Sequence, residues 1–195
     1  DDRRAREVYQ NVEEMLEVED AGVLISARLR LADGFLEIGE SEKAREHAMS
    51  VHDLSLELNE HQLHARSRVI LGRYYAKTKD SELSLLHYNA ALETFSEEAN
   101  PTNAVETEML LGQVLVDVGR TSEASEHYLD ALSIAEANDF RLLQAGILAR
   151  LGTIRGDRSE RVAYLQRSLS VFKDLGAHTR MKEIQNSVHR ALMGR

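Results

Sequence analysis

The stretch of sequence that decides the fold is residues 111–131, LGQVLVDVGRTSEASEHYLDA. Its apolar and small residues are spaced by 3, 4 and 7 positions, which is the spacing of one face of an α-helix. Gly119 interrupts the pattern, and glycine there can take the left-handed conformation that ends a helix. The stretch therefore predicts two helices, called helix A and helix B, joined by a tight turn.

The dipeptide that opens this stretch returns along the chain at a constant interval. Its copies are Leu31-Ala32, Leu71-Gly72, Leu111-Gly112 and Leu151-Gly152. A fixed period in this range is typical of a solenoid, in which each unit buries its apolar face against its neighbours. We expect the small residues at 32, 72 and 112 to let helix B approach helix A closely.

The turn between helices A and B recurs with the same period, at Gly39, Lys79 and Gly119. Two residues later the chain carries hydroxyl side chains, which we expect to cap the start of helix B. These residues are Ser41, Ser81 and Thr121. Between units, we expect Asn100 to cap a helix whose first residue is Pro101.

The period predicts an all-α fold, an α-α superhelix of about ten antiparallel helices in a single domain, 1–195. The segments are a lone B helix (1–19), repeat 1 (20–59), repeat 2 (60–99), repeat 3 (100–139), a degenerate repeat 4 (140–177) and a terminal A-type or capping helix (178–195). In repeat 4 the turn residue, Gly156, comes three residues early. Helix A of repeat 4 is therefore predicted to be shorter by nearly one turn.

Composition narrows the class of function. With 43% hydrophobic and 29% charged residues, the chain can bury a continuous core. Its net charge of −9 opposes direct binding to nucleic acid. The sequence has no Cys, which is compatible with a reducing compartment, and no apolar stretch near the ~20 residues that span a bilayer, so we expect a cytoplasmic location and no membrane partner. Because residue 1 is Asp and the chain ends in a helical pattern, we expect a piece of a longer protein.

The sequence contains no motif for catalysis. There is no nucleophile elbow, phosphate loop or HExxH helix, so we expect no enzyme activity, no catalytic residue and no cofactor. His47, His87 and His127 recur with the period, but equivalent sites on successive helices lie about a helix diameter apart, too far for one metal ion. His61 and His64 could share a metal, yet no third ligand is apparent. We therefore interpret these histidines as part of the repeat and expect no metal.

The order of small residue, large apolar residue, glycine turn and then Ala-x3-Tyr-x2-Ala resembles the tetratricopeptide repeat (TPR). Repeat 3 matches that motif at Leu111-Gly112, Leu115, Gly119, Ala124, Tyr128 and Ala131. The length of the unit is similar to that of the long-helix variant found in the Pins/LGN scaffolds, MalT-like regulators and bacterial signalling modules. The resemblance implies a right-handed superhelix that binds a peptide or a partner segment in the concave groove lined by its A helices.

By register, the resemblance also implies which residues line the groove. They are Ser26, Leu29, Asp33, Leu36 and Glu37 in repeat 1, Arg66, Val69, Arg73, Ala76 and Lys77 in repeat 2, and Glu106, Met109, Gln113, Val116 and Asp117 in repeat 3. A basic band in repeat 2 thus lies between two acidic bands. The bands either neutralise one another across neighbouring helices or form a basic centre that captures a ligand carboxylate. A chaperone C-terminus is disfavoured, because Asp33 and Gln113 stand where its clamp would want Asn or a cation.

Two functions follow from the resemblance. The first is a non-enzymatic module that binds a protein or peptide. The alternative is a regulatory or sensory part of a larger bacterial signalling or transcription-regulating protein, in which the repeats dimerise or control an output domain. A homodimer through repeat 4 would depend on Leu165 or Val188. Rap-like regulators also use such repeats, but behind an N-terminal helical bundle that this sequence does not show.

Overall fold

The computed structural model describes residues 2–14, 21–154 and 156–193, and the side chains of 5–11, 21–154 and 156–193. Within these ranges the chain forms ten α-helices and no strand, which confirms the predicted all-α repeat fold. The helices are α1 (Asp2–Glu14), α2 (Ala21–Glu37), α3 (Ser41–Glu57), α4 (His61–Lys77), α5 (Ser81–Glu97), α6 (Pro101–Asp117), α7 (Thr121–Ala137), α8 (Arg141–Ile154), α9 (Arg158–Asp174) and α10 (His178–Leu192).

The length of helix α8 confirms the predicted irregularity of repeat 4. Helix α6, its counterpart in repeat 3, has 17 residues, whereas α8 has 14. A difference of three residues is nearly one turn of an α-helix. Arg155, which follows α8, lies outside the described residues.

The turns between helices A and B have the predicted left-handed residue. The φ angles are +83° at Gly39, +66° at Lys79 and +81° at Gly119. In the first turn the Glu40 amide donates to the carbonyl of Phe35 at 2.9 Å, and the other two turns repeat this bond at 2.9 and 2.8 Å. This is the bond of the Schellman motif, which satisfies a carbonyl at the end of helix A.

The predicted caps of helix B were wrong by one residue. Ser41, Ser81 and Thr121 are the first residues of their helices, and the cap positions are Glu40, Asp80 and Arg120. Of these three, Asp80 caps with its side chain, which accepts a hydrogen bond from the Leu83 amide at 3.2 Å. The shift arises because the residue that closes the Schellman turn also begins helix B. The predicted cap at Asn100 is confirmed, since its side chain accepts from the Asn103 amide at 3.2 Å.

The close approach of helices A and B is confirmed at the repeated glycines. A Cβ atom on Gly72 would lie 2.5 Å from Cε1 of Tyr88, and one on Gly112 would lie 2.6 Å from Cε1 of Tyr128. Both tyrosines are 1% exposed. A tyrosine ring of helix B therefore occupies the space that a side chain on helix A would take.

Repeats 1 and 4 make this contact with other residues. In repeat 1 the equivalent positions are Ala32 and Ala48, and both are fully buried. In repeat 4 a Cβ on Gly152 would lie 2.6 Å from Cγ of Leu165. Because Leu165 is 1% exposed, it belongs to the core, and its mutation would test folding rather than a dimer interface.

The chain divides into two compact units, unit 1 (1–99) and unit 2 (100–195). In unit 1, α1 to α5 pack in chain order, around a core that includes Ile25, Phe35 and Leu71. In unit 2, α6 to α10 also pack in chain order. Its core has one cluster that includes Tyr128 and Leu151 and another around Leu165, Phe172 and Ile184.

Candidate functional site: the A-helix faces

The A helices of unit 1 are joined by the basic residues predicted to line the groove. Helices α2 and α4 contact each other. Nη1 of Arg73 lies 2.6 Å from Oδ1 of Asp33, and both side chains are partly exposed. The Lys77 ammonium group donates a hydrogen bond to the carbonyl of Leu36. Two of the three basic residues of repeat 2 that were predicted to line the groove are thus held against α2 by charge-assisted hydrogen bonds.

The Asp33 carboxylate is electrostatically strained despite this ion pair. Its burial raises its pKa above the usual value, and the nearby Glu37 carboxylate acts in the same direction. Arg73 and Arg66 lower the pKa, but burial is the larger effect. Removing a charge from water costs more here than the partly exposed pair returns. The fold therefore disfavours the ionised form of Asp33 relative to water.

The remaining predicted groove residues of unit 1 differ in exposure. Leu29 and Leu36 are 1% and 0% exposed, so they pack in the core of unit 1 and offer no surface to a ligand. The half-buried residues are Val69 and Ala76, and the exposed ones are Ser26, Glu37, Arg66 and Lys77. Among the predicted groove residues of unit 1, the half-buried apolar side chains thus both lie on α4, beside the cations.

In unit 2, a series of hydrogen-bonded polar side chains links the A helices α6 and α8. The Gln113 amide donates to Oδ1 of Asp117 at 2.9 Å and accepts from Nη1 of Arg150 at 2.5 Å. The Arg150 guanidinium also lies over the Tyr128 ring, 5.9 Å from its centroid. Met109 and Val116 are partly buried against the neighbouring core, and Glu106 and Asp117 are exposed.

Sequence reasoning missed Arg150. It lies one residue before the Leu151-Gly152 dipeptide, in the repeat to which the groove register was not extended. Carrying that register into helix α8 would not have found it, because Arg150 is the counterpart of Leu110, which is not one of the groove positions. Arg150 makes the A-helix face of unit 2 less acidic than Glu106 and Asp117 alone suggest.

The periodic histidines take part in packing between helices A and B. His47 stacks on Phe35 with ring centroids 5.5 Å apart, and His87 stacks on Tyr75 at 5.3 Å. Repeat 3 has Leu115 at the matching position, and there Nδ1 of His127 instead lies 2.6 Å from Oε2 of Glu108. Within the described residues, no group of three or more His, Asp or Glu side chains is placed to hold a metal ion.

The part of the chain that the structure describes contains no candidate membrane-spanning segment. None of its helices combines the length and the apolar character needed to cross a bilayer.

Comparison with known proteins supports the repeat. A sequence profile described as tetratricopeptide repeat matches residues 109–138. No curated protein sequence matches significantly. Among solved structures, a Signal Transduction ATPase with Numerous Domains (STAND) protein with a tetratricopeptide repeat sensor, from Pyrococcus horikoshii, is similar with a TM-score of 0.84 and 15% identity, over 96% of this chain and 30% of that one.

Two further solved structures are similar over most of this chain. Aspartyl phosphate phosphatase F from Bacillus subtilis has a TM-score of 0.80 and 14% identity, over 94% of this chain and 49% of that one. A Rap protein complexed with Competence and Sporulation Factor has a TM-score of 0.64 and 14% identity, over 92% of this chain and 57% of that one. The chain thus spans about a third to just over half of these proteins, and at such identities the likeness establishes the fold.

Proposed function

Because the chain is a TPR-type helical repeat domain, we propose that it is an interaction module that binds a peptide or an extended partner segment on its A helices. The observation that carries this proposal is the face of unit 1, where Arg66, Arg73 and Lys77 lie beside the apolar surface of Val69. A short apolar surface beside a few directed polar groups is the usual composition of a recognition site. The Rap protein noted above was solved with a factor bound, which is consistent with ligand binding on this fold.

The chemistry of the unit 1 face favours a ligand with a carboxylate. Arg66 is exposed, and within the described residues no ion pair engages it. Arg73 is paired with Asp33, and burial raises the pKa of that carboxylate, so the fold gains little from keeping Asp33 ionised. A ligand carboxylate could displace Asp33 and form a bidentate pair with Arg73. Glu37, at the end of α2, would then favour a basic residue beside that carboxylate.

Each unit would contribute its own predicted groove residues to the ligand contacts. In unit 1 the contacts would come from Asp33, Glu37, Arg66, Val69, Arg73 and Lys77. In unit 2 they would come from Met109, Gln113 and Asp117, with Arg150 added. Leu29 would not contact the ligand, because its side chain is buried, and would contribute by packing helix α2 in the core.

The proposal is tested by fluorescence polarisation with a library of labelled ten-residue peptides whose central residue is acidic, basic or neutral. We expect selective binding of acidic peptides, and at least tenfold weaker binding by the variant Arg73→Glu/Lys77→Glu. The matched control is Arg167→Glu/Lys173→Glu, which reverses two exposed cations on α9. Equal binding of the three peptide classes, or equal losses in variant and control, would refute the basic centre.

A second candidate is that the repeats are the regulatory or sensory part of a larger signalling protein. It is favoured by the similarity to a protein with a TPR sensor and by the fraction of that protein, 30%, that the chain spans. In the natural full-length protein, the reversal Arg73→Glu/Lys77→Glu should then change the activity of an attached output domain. Sedimentation velocity would detect the dimer this candidate allows, with Val188→Glu as the disrupting variant.

A further inference from the structure

Three imidazoles gather around one guanidinium in unit 1. His52 lies on α3, His64 on α4 and His87 on α5, and Arg68 of α4 acts electrostatically on all three. The rings of His52 and His64 lie 4.3 Å apart between centroids, tilted by 45°. The cluster therefore joins helix B of repeat 1 to both helices of repeat 2.

One nitrogen of each ring is buried without a hydrogen-bond partner in the part of the chain that the structure describes. These atoms are Nδ1 of His52, Nε2 of His64 and Nδ1 of His87. A neutral imidazole tolerates such a site, but an imidazolium would bury a charged N–H with no acceptor. Burying an unpaired charge costs far more than burying an unpaired neutral group.

The charged and titratable groups around the cluster mostly oppose proton uptake. Arg68 acts on each ring, and His61 of α4 acts on His64. Asp53 of α3 acts in the opposite direction, on His52. The groups acting on these rings come from α3 and α4, with none from α2 and none from α5 among the described residues.

The combined effect is to keep the rings neutral in the folded protein. Burial, followed by His52, Arg68 and His61, lowers the pKa of His64 to about 4. Burial and Arg68 lower the pKa values of His52 and His87 as well. An unfolded histidine titrates near pH 6.5, so between about pH 6.5 and 4 the unfolded chain binds more protons than the folded one. The stability that the neutral cluster provides is present above pH 6.5 and is lost as the pH falls towards 4.

We propose that this imidazole cluster is an acid-sensitive latch, which holds α3 against α4 at neutral pH and releases them on mild acidification. Proton uptake places an imidazolium beside Arg68 and beside a second imidazole, and separating α3 from α4 gives those charges water. Opening is confined to unit 1, because the corresponding histidine of unit 2, His127, has the carboxylate of Glu108 as its partner. The latch is independent of whether the A helices bind a ligand.

Hydrogen exchange followed by mass spectrometry tests the latch on the full chain. With rates corrected for intrinsic exchange, we expect the open population of α3–α5 to rise about tenfold between pH 7 and pH 5, allowing for partial solvent screening. Peptides from α6 and α7 serve as the internal reference and should show no such rise. The variant His52→Gln/His64→Gln should lower the rise to less than twofold, whereas the control His178→Gln, at an exposed site on α10, should leave it unchanged.

Three results would overturn the proposal: opening of α3–α5 that does not depend on pH, equal acid sensitivity in α6 and α7, or a tenfold rise that survives in the double variant. If the double variant fails to fold, an NMR titration of the His64 ring in the wild-type chain decides. A ring that stays neutral down to pH 5 supports the latch, and one that titrates near pH 6.5 refutes it.

Discussion

Repeats 2 and 3 have a histidine at the same position of helix B, but the charged residue beside it is a cation in repeat 2 and a carboxylate in repeat 3. The matching position on helix A of the same repeat is Arg68 for His87 and Glu108 for His127. Burial and Arg68 lower the pKa of His87, whereas the hydrogen bond to Glu108 raises that of His127. The repeat thus determines where the ring lies, and its neighbour on helix A shifts the pKa of the ring down in repeat 2 and up in repeat 3.

Because of this difference, the histidines of the two units change the stability of the fold in opposite directions as the pH falls. The stabilisation from His127 is complete below the unfolded pKa near 6.5 and is lost as the pH rises through the raised folded pKa. The stabilisation from the histidine cluster of unit 1 is lost in the other direction, as the pH falls. Mild acid should therefore weaken unit 1 while it strengthens the Glu108–His127 pair.

The largest expected effect concerns the contact that repeats 2 and 3 share. Gly112→Leu should lower the free energy of unfolding by about 3 kcal/mol, because the new side chain overlaps the buried Tyr128 ring. Gly72→Leu should do the same against Tyr88. Urea denaturation measures both changes.

A glycine without such a neighbour provides the control for these variants. A Cβ on Gly146 of helix α8 would meet no atom within 4 Å, so Gly146→Ala should stabilise the helix by up to about 1 kcal/mol. The double variant Gly72→Ala/Tyr88→Ala copies the Ala32–Ala48 pair of repeat 1 and should be more stable than the sum of its single changes predicts. A Gly112→Leu variant of wild-type stability would show that the rings do not fill these sites.

The next effect concerns the charge beside the histidine. Glu108→Gln should lower stability by about 2 kcal/mol at pH 5.5, below the raised pKa of His127, and by less at pH 8, because the charged fraction of His127 falls as the pH rises. The reciprocal change, Arg68→Glu, should raise the pKa of His87 by removing a repelling charge. Denaturation at pH 5.5 and pH 8 tests the first variant, and an NMR titration of His87 tests the second. A loss of stability in Glu108→Gln that is equal at the two pH values would contradict a charged hydrogen bond between His127 and Glu108.

A smaller effect is expected at the turn of repeat 2. Lys79 has a left-handed φ of +66°, whereas repeats 1 and 3 have glycine at this position. Lys79→Gly should therefore raise the free energy of unfolding by about 1 kcal/mol, and Gly119→Ala should lower it by a similar amount. Thermal denaturation distinguishes the two variants, and a loss of stability in Lys79→Gly would show that other contacts of the lysine outweigh the strain.

The smallest effect is expected at the ion pair on the A-helix face of unit 1. A double-mutant cycle of Arg73→Ala and Asp33→Asn should give a coupling of about 0.5 kcal/mol, since both side chains are partly exposed. Asp33→Asn alone should be neutral or slightly stabilising at pH 7, because burial disfavours its carboxylate. A coupling several times larger, as in a fully buried ion pair, would show that Asp33 is not readily displaced by a ligand.

Much of the fold could be predicted because its signals are local and repeated. The period of the repeat, the left-handed turn at Gly39 and the short helix α8 each depend on residues close together in the chain. The start of helix B was misplaced by one residue because the turn and the cap share Glu40. A hydroxyl residue at the first helical position resembles a cap in the sequence.

The candidate site was less predictable because its character depends on neighbouring helices. The resemblance to the TPR implied that Leu29 and Arg73 both line the groove, yet Leu29 is 1% exposed and the Arg73 side chain is partly exposed. Arg150 went unpredicted because its position is not one of the groove positions of the repeat and its partner, Gln113, lies 37 residues away on another helix.

The sequence by itself determined the repeat, its turns and the small residues that admit a tyrosine ring, because the helical period and the conformational freedom of glycine act within a few residues. Only the tertiary structure decided which groove residues are buried, which cations are paired and which histidines stay neutral. Those properties depend on burial and on groups that different helices bring together, 12 to 41 residues apart in the chain.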